Sequence, residues 1–275
     1  MQRHDAPAWR ADWINGWLAA IGCTVICEDL KLSWTDAAHP TAILWAPDDG
    51  IDIGQRISEA FPPHDFIRLS AARDLTKQEP SEDQYRVGSE EARLTGDWLW
   101  SALFTDLVDY RSPKAKATPG SSRVAKSIFY PGVEKGRTIA DRFEACWESP
   151  SQCTIEASMS GTLARKLANG LGFDCRRIFD PSDPHPKPIV DPIVEVLIAT
   201  ALVMFPVRGD GRRERTKGQN AGRSFRWRTW PDPLNAAAID AIVMSSAPVE
   251  PRYELVEYDK GVSAKTGYFS RRIPS

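Results

Sequence analysis

PIVEVLIATALVMFP, residues 192–206, is an almost wholly apolar segment in the last third of this sequence. Pro206 closes it, and its length falls short of the roughly 20 apolar residues that a membrane-spanning helix needs. A segment of this kind that is apolar nearly all round is typical of a helix buried inside a domain. We therefore predict a buried helix whose core residues are Ile193, Val194, Val196, Leu197, Ile198, Ala201, Leu202 and Met204.

The amino-terminal region predicts one helix followed by short strands. Apolar residues recur at helical spacing between Pro7, which suits a first helical turn, and Gly22, which suits a helix end. These residues are Trp9, Trp13, Ile14, Trp17, Leu18 and Ile21. Three β-prone runs follow, and they predict a small antiparallel meander; they are CTVIC (23–27), LKLSW (30–34) and TAILWA (41–46).

The remaining periodic segments predict more helices and a few strands. Helices are expected at residues 49–60, 89–108, 138–147, 154–169 and 234–244, with Gly170 as the cap of the fourth. Residues 224–230 alternate aromatic and basic side chains, so a strand there would place Phe225 and Trp227 on one face and Arg226 and Arg228 on the other. Strands are also expected near Tyr253 and Tyr268.

These elements together predict an α+β fold, in which amphipathic helices pack with short antiparallel strands in a mixed two-part architecture. A Pro/Gly/Ser-rich loop at 111–122 and a proline-rich stretch at 180–188 mark the candidate joints. The parts would be an α+β part at 1–110, a helical middle part with a basic loop at 111–183, and an α+β part with an arginine-rich loop at 184–275.

The composition is that of a soluble globular protein. The chain has 275 residues, is 42% hydrophobic and 26% charged, and carries a formal net charge of −2. The amino terminus lacks the apolar region of a secretory signal, and no apolar run is long enough to span a bilayer. We expect a cytoplasmic protein that does not insert into membranes.

The sequence carries no recognisable signature of a catalytic or metal centre. Its five cysteines form no CxxC pair, and Cys23 and Cys27 stand in an apolar run where buried thiols that act as small hydrophobic groups are expected. The Walker loop, the GxSxG elbow, the HExxH motif and the zinc deaminase motif are all missing. No cofactor and no structural metal are predicted.

The segment from Arg208 to Arg228 is strongly basic. It holds eight basic residues against Asp210 and Glu214, a local surplus of six positive charges in a chain whose net charge is negative. Such a cluster favours a polyanionic partner, of which nucleic acid is the commonest. The candidate contacts, including two amides able to reach base edges, are Arg208, Arg212, Arg213, Arg215, Lys217, Gln219, Asn220, Arg223, Arg226 and Arg228. The other interpretation is a solvated loop paired with acidic neighbours.

A second positive segment begins at Arg111, and no acidic residue appears in it before Glu134. It would extend the phosphate-contacting surface if the fold brought it near the arginine run. Its candidate contacts are Lys114, Lys116, Arg123 and Lys126.

The aromatic residues beside the arginines, Phe225, Trp227 and Trp230, have two interpretations. They either fill the core or stack on bases, and the core is the default role of such side chains.

Two other functions are consistent with the sequence. A magnesium-dependent nuclease needs convergent carboxylates and usually a lysine, for which the linear candidates are Glu254, Glu257, Asp259 and Lys260. On an alternating strand Glu257 and Asp259 would share one face and Glu254 and Lys260 the other, so convergence is not indicated. The second alternative is a scaffold whose basic loop docks on an acidic protein partner.

Four segments resemble the Cascade-associated proteins of subtype I-G (formerly I-U) CRISPR systems, in particular a short family of large-subunit-like proteins. They are INGWLAAIG (14–22), GLGFDCRRIFD (170–180), PIVEVLIATALVMFP (192–206) and RWRTWPDPL (226–234), and Ala201 stands where that pattern has glycine. The resemblance implies a non-catalytic subunit of an RNA-guided type I effector complex in antiviral defence. It also implies guide RNA, target DNA and other effector subunits as partners, with large subunits touching the motif beside the target and the displaced strand.

Overall fold

The computed structural model describes residues 1–75, 80–109, 122–129, 137–164, 166–167, 189–209, 214–216, 225–244, 253–258 and 267–272. The helices within these residues are α1 (Ile14–Ile26), α2 (Ile53–Ala60), α3 (Glu82–Thr95), α4 (Trp98–Leu103), α5 (Ile139–Cys146), α6 (Gln152–Ser160), α7 (Pro192–Ala201) and α8 (Ala236–Met244). The strands are β1 (Gln2–Arg10), β2 (Lys31–Trp34), β3 (Thr41–Ala46), β4 (Phe104–Asp109), β5 (Ser122–Lys126), β6 (Lys166–Leu167), β7 (Ile189–Val190), β8 (Val207–Gly209), β9 (Glu214–Thr216), β10 (Phe225–Trp227), β11 (Tyr253–Tyr258) and β12 (Gly267–Arg272). The predicted α+β class is confirmed.

Helix α7 is the buried helix that the apolar segment predicts. All of its residues are buried, and a 3-10 turn at Leu202–Met204 continues it toward Pro206. Pro192 occupies the first turn, where its missing N–H needs no partner. The carboxylate of Asp191 caps the helix by accepting hydrogen bonds from the N–H groups of Ile193 at 3.0 Å and Val194 at 3.2 Å.

Helix α1 packs against α7, and a glycine allows the close approach. A Cβ atom on Gly22 would overlap the carbonyl oxygen of Leu197 and would lie 2.8 Å from the Thr200 hydroxyl. The prediction that Gly22 ends the helix is therefore wrong, because this glycine makes a helix contact within a helix that runs to Ile26. Residues 23–26, which were expected in a strand, form the last turn of this helix instead. The expected burial of Cys23 and Cys27 is confirmed.

The residues before α1 form a strand instead of the expected first helical turns. β1 pairs antiparallel with β3 from Gln2 with Ala46 to Ala6 with Ala42, and a register shift then brings Arg10 opposite Thr41. β3 also pairs antiparallel with β2, which gives the sheet order β1-β3-β2. Pairing with a distant strand outweighs local helical spacing here, so the helix begins only at Ile14.

Two predicted helices end earlier than expected, each at a glycine. Gly96 has φ 71° and separates α3 from α4, whose first turn is capped by Asp97, and residues 104–108, expected to be helical, lie in strand β4 instead. Gly161 has φ 83° and ends α6, so Gly170 is not its cap. A positive φ favours glycine because a Cβ would clash with the backbone. The predictions of α2, α5, α8, β10, β11 and β12 are confirmed.

One hydrophobic core joins the amino-terminal and carboxy-terminal elements. The indole ring of Trp17 on α1 contacts the rings of Phe205, Phe225, Trp227 and Trp230, with centroids 5.7 to 6.4 Å apart. The predicted domain boundaries at 110/111 and 183/184 lie outside the described residues and stay predictions. Within the described part of the chain, no helix is both long and apolar enough to cross a membrane.

Candidate nucleic-acid interface

Two β-hairpins bring parts of the two basic segments side by side. β4 pairs antiparallel with β5, and β8 pairs antiparallel with β9. β8 lies beside both β4 and β5. Arg123 and Lys126 on β5 are therefore on strands adjacent to Arg208 on β8, which is paired with Arg215 on β9. The fold thus supplies a proximity that sequence spacing does not indicate.

A pair of buried hydroxyl groups joins the two hairpins at one end. The hydroxyl oxygens of Ser127 and Thr216 are 3.2 Å apart, and the Thr216 hydroxyl accepts a hydrogen bond from the N–H of Ile128 at 2.8 Å. The N–H of Ser127 in turn donates to the carbonyl of Leu103 at 2.8 Å, just before β4. We call this contact the hairpin joint. It fixes where both hairpins begin.

Each hairpin runs away from the hairpin joint toward its own far end. These far ends are Asp109 with Ser122 in the first hairpin and Gly209 with Glu214 in the second. We call them, together with the connections that leave from them, the hairpin tips. Residues 110–121 connect the first pair and residues 210–213 connect the second, and both connections lie outside the described residues.

In the sequence, the positive surplus falls in the two connections, whereas the strands themselves are close to neutral. The strands hold four basic residues against the acidic residues Asp106, Asp109 and Glu214. The two connections hold five basic residues against one acidic residue, Asp210. Those five are Arg111, Lys114, Lys116, Arg212 and Arg213.

The rest of the arginine run follows β9 in the sequence. Lys217, Gln219, Asn220 and Arg223 lie outside the described residues, in the connection that starts after Thr216 at the hairpin joint.

The alternation expected in β10 is confirmed for its three residues. Arg226 is exposed between buried Phe225 and Trp227, and in the sheet register it is paired with Glu254. Opposite charges directly across a sheet attract each other, which competes with a phosphate contact at Arg226. The side chain of Arg228 is half-buried, and its carbonyl accepts a hydrogen bond from the Trp17 indole at 3.0 Å.

The aromatic residues near the arginines belong to the core. Phe225, Trp227 and Trp230 are each 6% exposed or less. The indole N–H of Trp227 donates to the carbonyl of Ala11 and that of Trp230 to the carbonyl of Leu32, each at 2.7 Å. The expectation that these side chains fill the core is confirmed, and they offer no ring face for base stacking.

The nuclease candidates are only partly described. Glu254 and Glu257 lie three residues apart on β11, and an odd separation places two residues on opposite faces of a regular strand. Asp259 and Lys260 lie outside the described residues. Among the residues that the structure describes, no three His, Cys, Asp or Glu side chains are grouped closely enough to hold a metal ion.

Sequence reasoning missed Ser127 and Thr216, the two residues that align the hairpins. A signal for the second hairpin was present, because the turn-forming pair Asp210-Gly211 stands between two short runs, VRG and ERT. No sequence signal pairs Ser127 with Thr216, since 88 residues separate Ile128 from its acceptor Thr216.

Comparisons with protein-family models, with curated proteins and with solved structures found no match to this chain.

Proposed function

We propose that this protein is a non-catalytic nucleic-acid-binding subunit that holds a phosphodiester backbone at the hairpin tips. The observation that supports it is the hairpin joint at Ser127 and Thr216, since both hairpins begin at this one contact. Basic residues from two distant parts of the sequence would then face one polyanion.

Charge, and not stacking, supplies the affinity in this proposal. Proteins that bind single strands without sequence preference usually offer exposed aromatic rings to the bases. The aromatic side chains Phe225, Trp227 and Trp230 are buried here, which leaves guanidinium and ammonium groups as the contacts. Phosphate contacts position a nucleic acid without reading its sequence. Lys217, Gln219, Asn220 and Arg223 would add contacts near the hairpin joint.

A finer proposal follows from the resemblance to CRISPR subtype I-G proteins. In that form the protein is a cytoplasmic subunit of an RNA-guided effector complex, and its ligands are guide RNA, target DNA or both. Backbone contacts of this kind match the division of labour in such complexes, in which base pairing reads the sequence and the protein grips the duplex.

The salt dependence of binding tests the coarser proposal. Each phosphate contact contributes about 0.9 to the slope of log affinity against log salt on duplex DNA. We expect Arg212→Ala/Arg213→Ala and Lys114→Ala/Lys116→Ala each to flatten that slope by up to about two and to weaken binding, measured by fluorescence anisotropy from about 50 to about 300 mM salt. A matched control is Arg3→Ala/Arg68→Ala, which removes two exposed arginines outside both hairpins. Tip variants that bind like this control would contradict the proposal.

Two further experiments distinguish the proposed binding subunit from the two alternatives, a nuclease and a protein scaffold. Magnesium-dependent cleavage of DNA that Glu257→Ala abolishes would support a nuclease on β11 in place of a binding subunit. Co-purification with and without nuclease treatment tests the scaffold, because partners that stay bound after the nucleic acid is digested are held by protein contacts.

A further inference from the structure

Helix α3 lies on the surface and is capped at both ends. Among its residues whose burial is described, only Gly88 and Ala92 are buried. A capping box closes its amino end, where the Ser81 hydroxyl accepts from the Gln84 N–H at 3.3 Å and the Gln84 side chain accepts from the Ser81 N–H at 2.9 Å. Gly96 closes the other end. The helix is therefore well formed although most of its surface faces outward.

The outer face of α3 exposes two apolar side chains. Val87 is 56% exposed and Leu94 is 71% exposed. They are seven residues apart, which places them on the same side of a helix, two turns from each other. Asp83 and Glu90 belong to the same stripe, because residues three and four apart are neighbours on a helix surface. Arg86 and Arg93 flank this stripe on one side.

The four charged residues on this face form no ion pair within the described residues. Ion pairs occur close by, for example between Arg73 and Glu91 at 2.9 Å, but not at Asp83, Arg86, Glu90 or Arg93. Arg86 and Glu90 stand at i and i+4 with the basic residue first, which is the weaker order for a pair within one helix. The charges on the outer face are thus available to a partner.

We propose that this face of α3 binds the same face of a second copy, with the two helices antiparallel about a two-fold axis at the level of residue 88. In that register Arg86 meets Glu90 of the second copy, and Asp83 meets Arg93 of the second copy. The residue numbers of each pair average to 88, so a single two-fold axis at that level produces both pairs. The symmetry repeats each pair once, which gives four ion pairs in the dimer. Val87 meets the second copy next to the axis, and Leu94 lies at each end of the contact.

The size of the face sets the strength of the association. A helix of 14 residues is about 21 Å long. Two such helices bury much less than the roughly 1,600 Å² of a standard protein interface, so we expect a weak dimer with a dissociation constant of tens to hundreds of micromolar. This dimer involves neither hairpin and does not rest on the proposed function.

Charge-swap variants test both the dimer and its register. The average mass of nuclease-treated protein is measured by sedimentation equilibrium from about 10 to about 500 μM, and that of the wild type is expected to rise with concentration. Arg86→Glu and Glu90→Arg each place like charges across the axis, so either variant alone is expected to stay monomeric. An equimolar mixture of the two restores opposite charges in a heterodimer, and its mass is expected to rise again.

The control variant is Asp36→Lys, which reverses an exposed charge far from α3 in sequence. It is expected to associate like the wild type. A wild-type mass that is constant with concentration would overturn the dimer, as would variants that associate as strongly as the wild type. Loss of association in both single variants without recovery in the mixture would overturn the antiparallel pairing.

Discussion

Gly22 shows how one missing side chain permits the central helix contact. In an open helix position, replacing glycine by alanine stabilises a helix by about 1 kcal/mol. At Gly22 the new Cβ would overlap the Leu197 carbonyl, so α1 and α7 would have to separate. We expect Gly22→Ala to lower the free energy of unfolding by about 2 kcal/mol or more, because overpacking a well-packed contact costs about 1–3 kcal/mol and the shift is transmitted along both helices.

Urea unfolding of Gly22→Ala provides the measurement, with Gly96→Ala as its control. Nothing lies within 4 Å of a Cβ built on Gly96, so only its left-handed backbone opposes alanine there, at a cost of about 1–2 kcal/mol. A Gly22→Ala protein as stable as the wild type would show that the two helices are less closely packed than described.

The buried thiols supply a second prediction at the residue scale. Burial raises the pKa of the Cys27 thiol to about 12, with the Asp29 carboxylate adding to the shift and the Arg56 guanidinium opposing it. Burial likewise raises the pKa of Cys23. Because the folded state holds these protons more tightly, their contribution to stability is complete below about pH 9 and is lost as the pH rises toward 12.

Alkylation and alkaline unfolding measure this effect. We expect iodoacetamide to modify exposed Cys153 in the native protein and to modify Cys23 and Cys27 only after unfolding, as read by peptide mass spectrometry. Between about pH 9 and about pH 10 the wild type should lose about 1 kcal/mol more stability than Cys27→Ala. Equal losses in the two proteins would contradict the assigned cause.

At the scale of elements, sequence patterns succeed where a local property suffices. Helix α7 is predictable because its apolar residues cover the helix nearly all round, and β10 is predictable because aromatic and basic residues alternate. Residues 23–26 and β1 are not predictable in this way. Whether Gly22 ends a helix or contacts one depends on Leu197, and whether residues 2–10 form a strand depends on β3.

The candidate interface was predictable in composition and not in arrangement. The sequence indicates which residues are basic, and the hairpin joint brings strands of the two basic segments together. The pairing of Arg208 with Arg215 follows from the short β8–β9 hairpin, which charge counting along the chain does not detect.

The hairpin joint yields a prediction that leaves every charge in place. Thr216→Val keeps the shape of the side chain but leaves the Ile128 N–H without its acceptor, and an unpaired buried donor costs about 1–3 kcal/mol. We expect lower stability and a several-fold loss of nucleic-acid affinity, because the tips would no longer be aligned. Thr216→Ser keeps the hydroxyl and should retain most of the affinity. Full affinity in Thr216→Val, measured by anisotropy, would show that alignment of the tips is unimportant.

At the scale of the whole molecule, the core connects the two ends of the chain. Helix α1 packs on α7, and the Trp227 indole reaches the Ala11 carbonyl across 216 residues of sequence.

A fragment of residues 1–183 would expose the face of α1 that α7 covers, together with the ring of Trp17. We therefore expect this fragment not to fold alone and to recover native structure when it is co-expressed with residues 184–275. Near-UV circular dichroism and urea unfolding measure this, and the intact chain should show one transition by both fluorescence and circular dichroism. Cooperative unfolding of the 1–183 fragment by itself would instead establish separate domains at the proline-rich stretch.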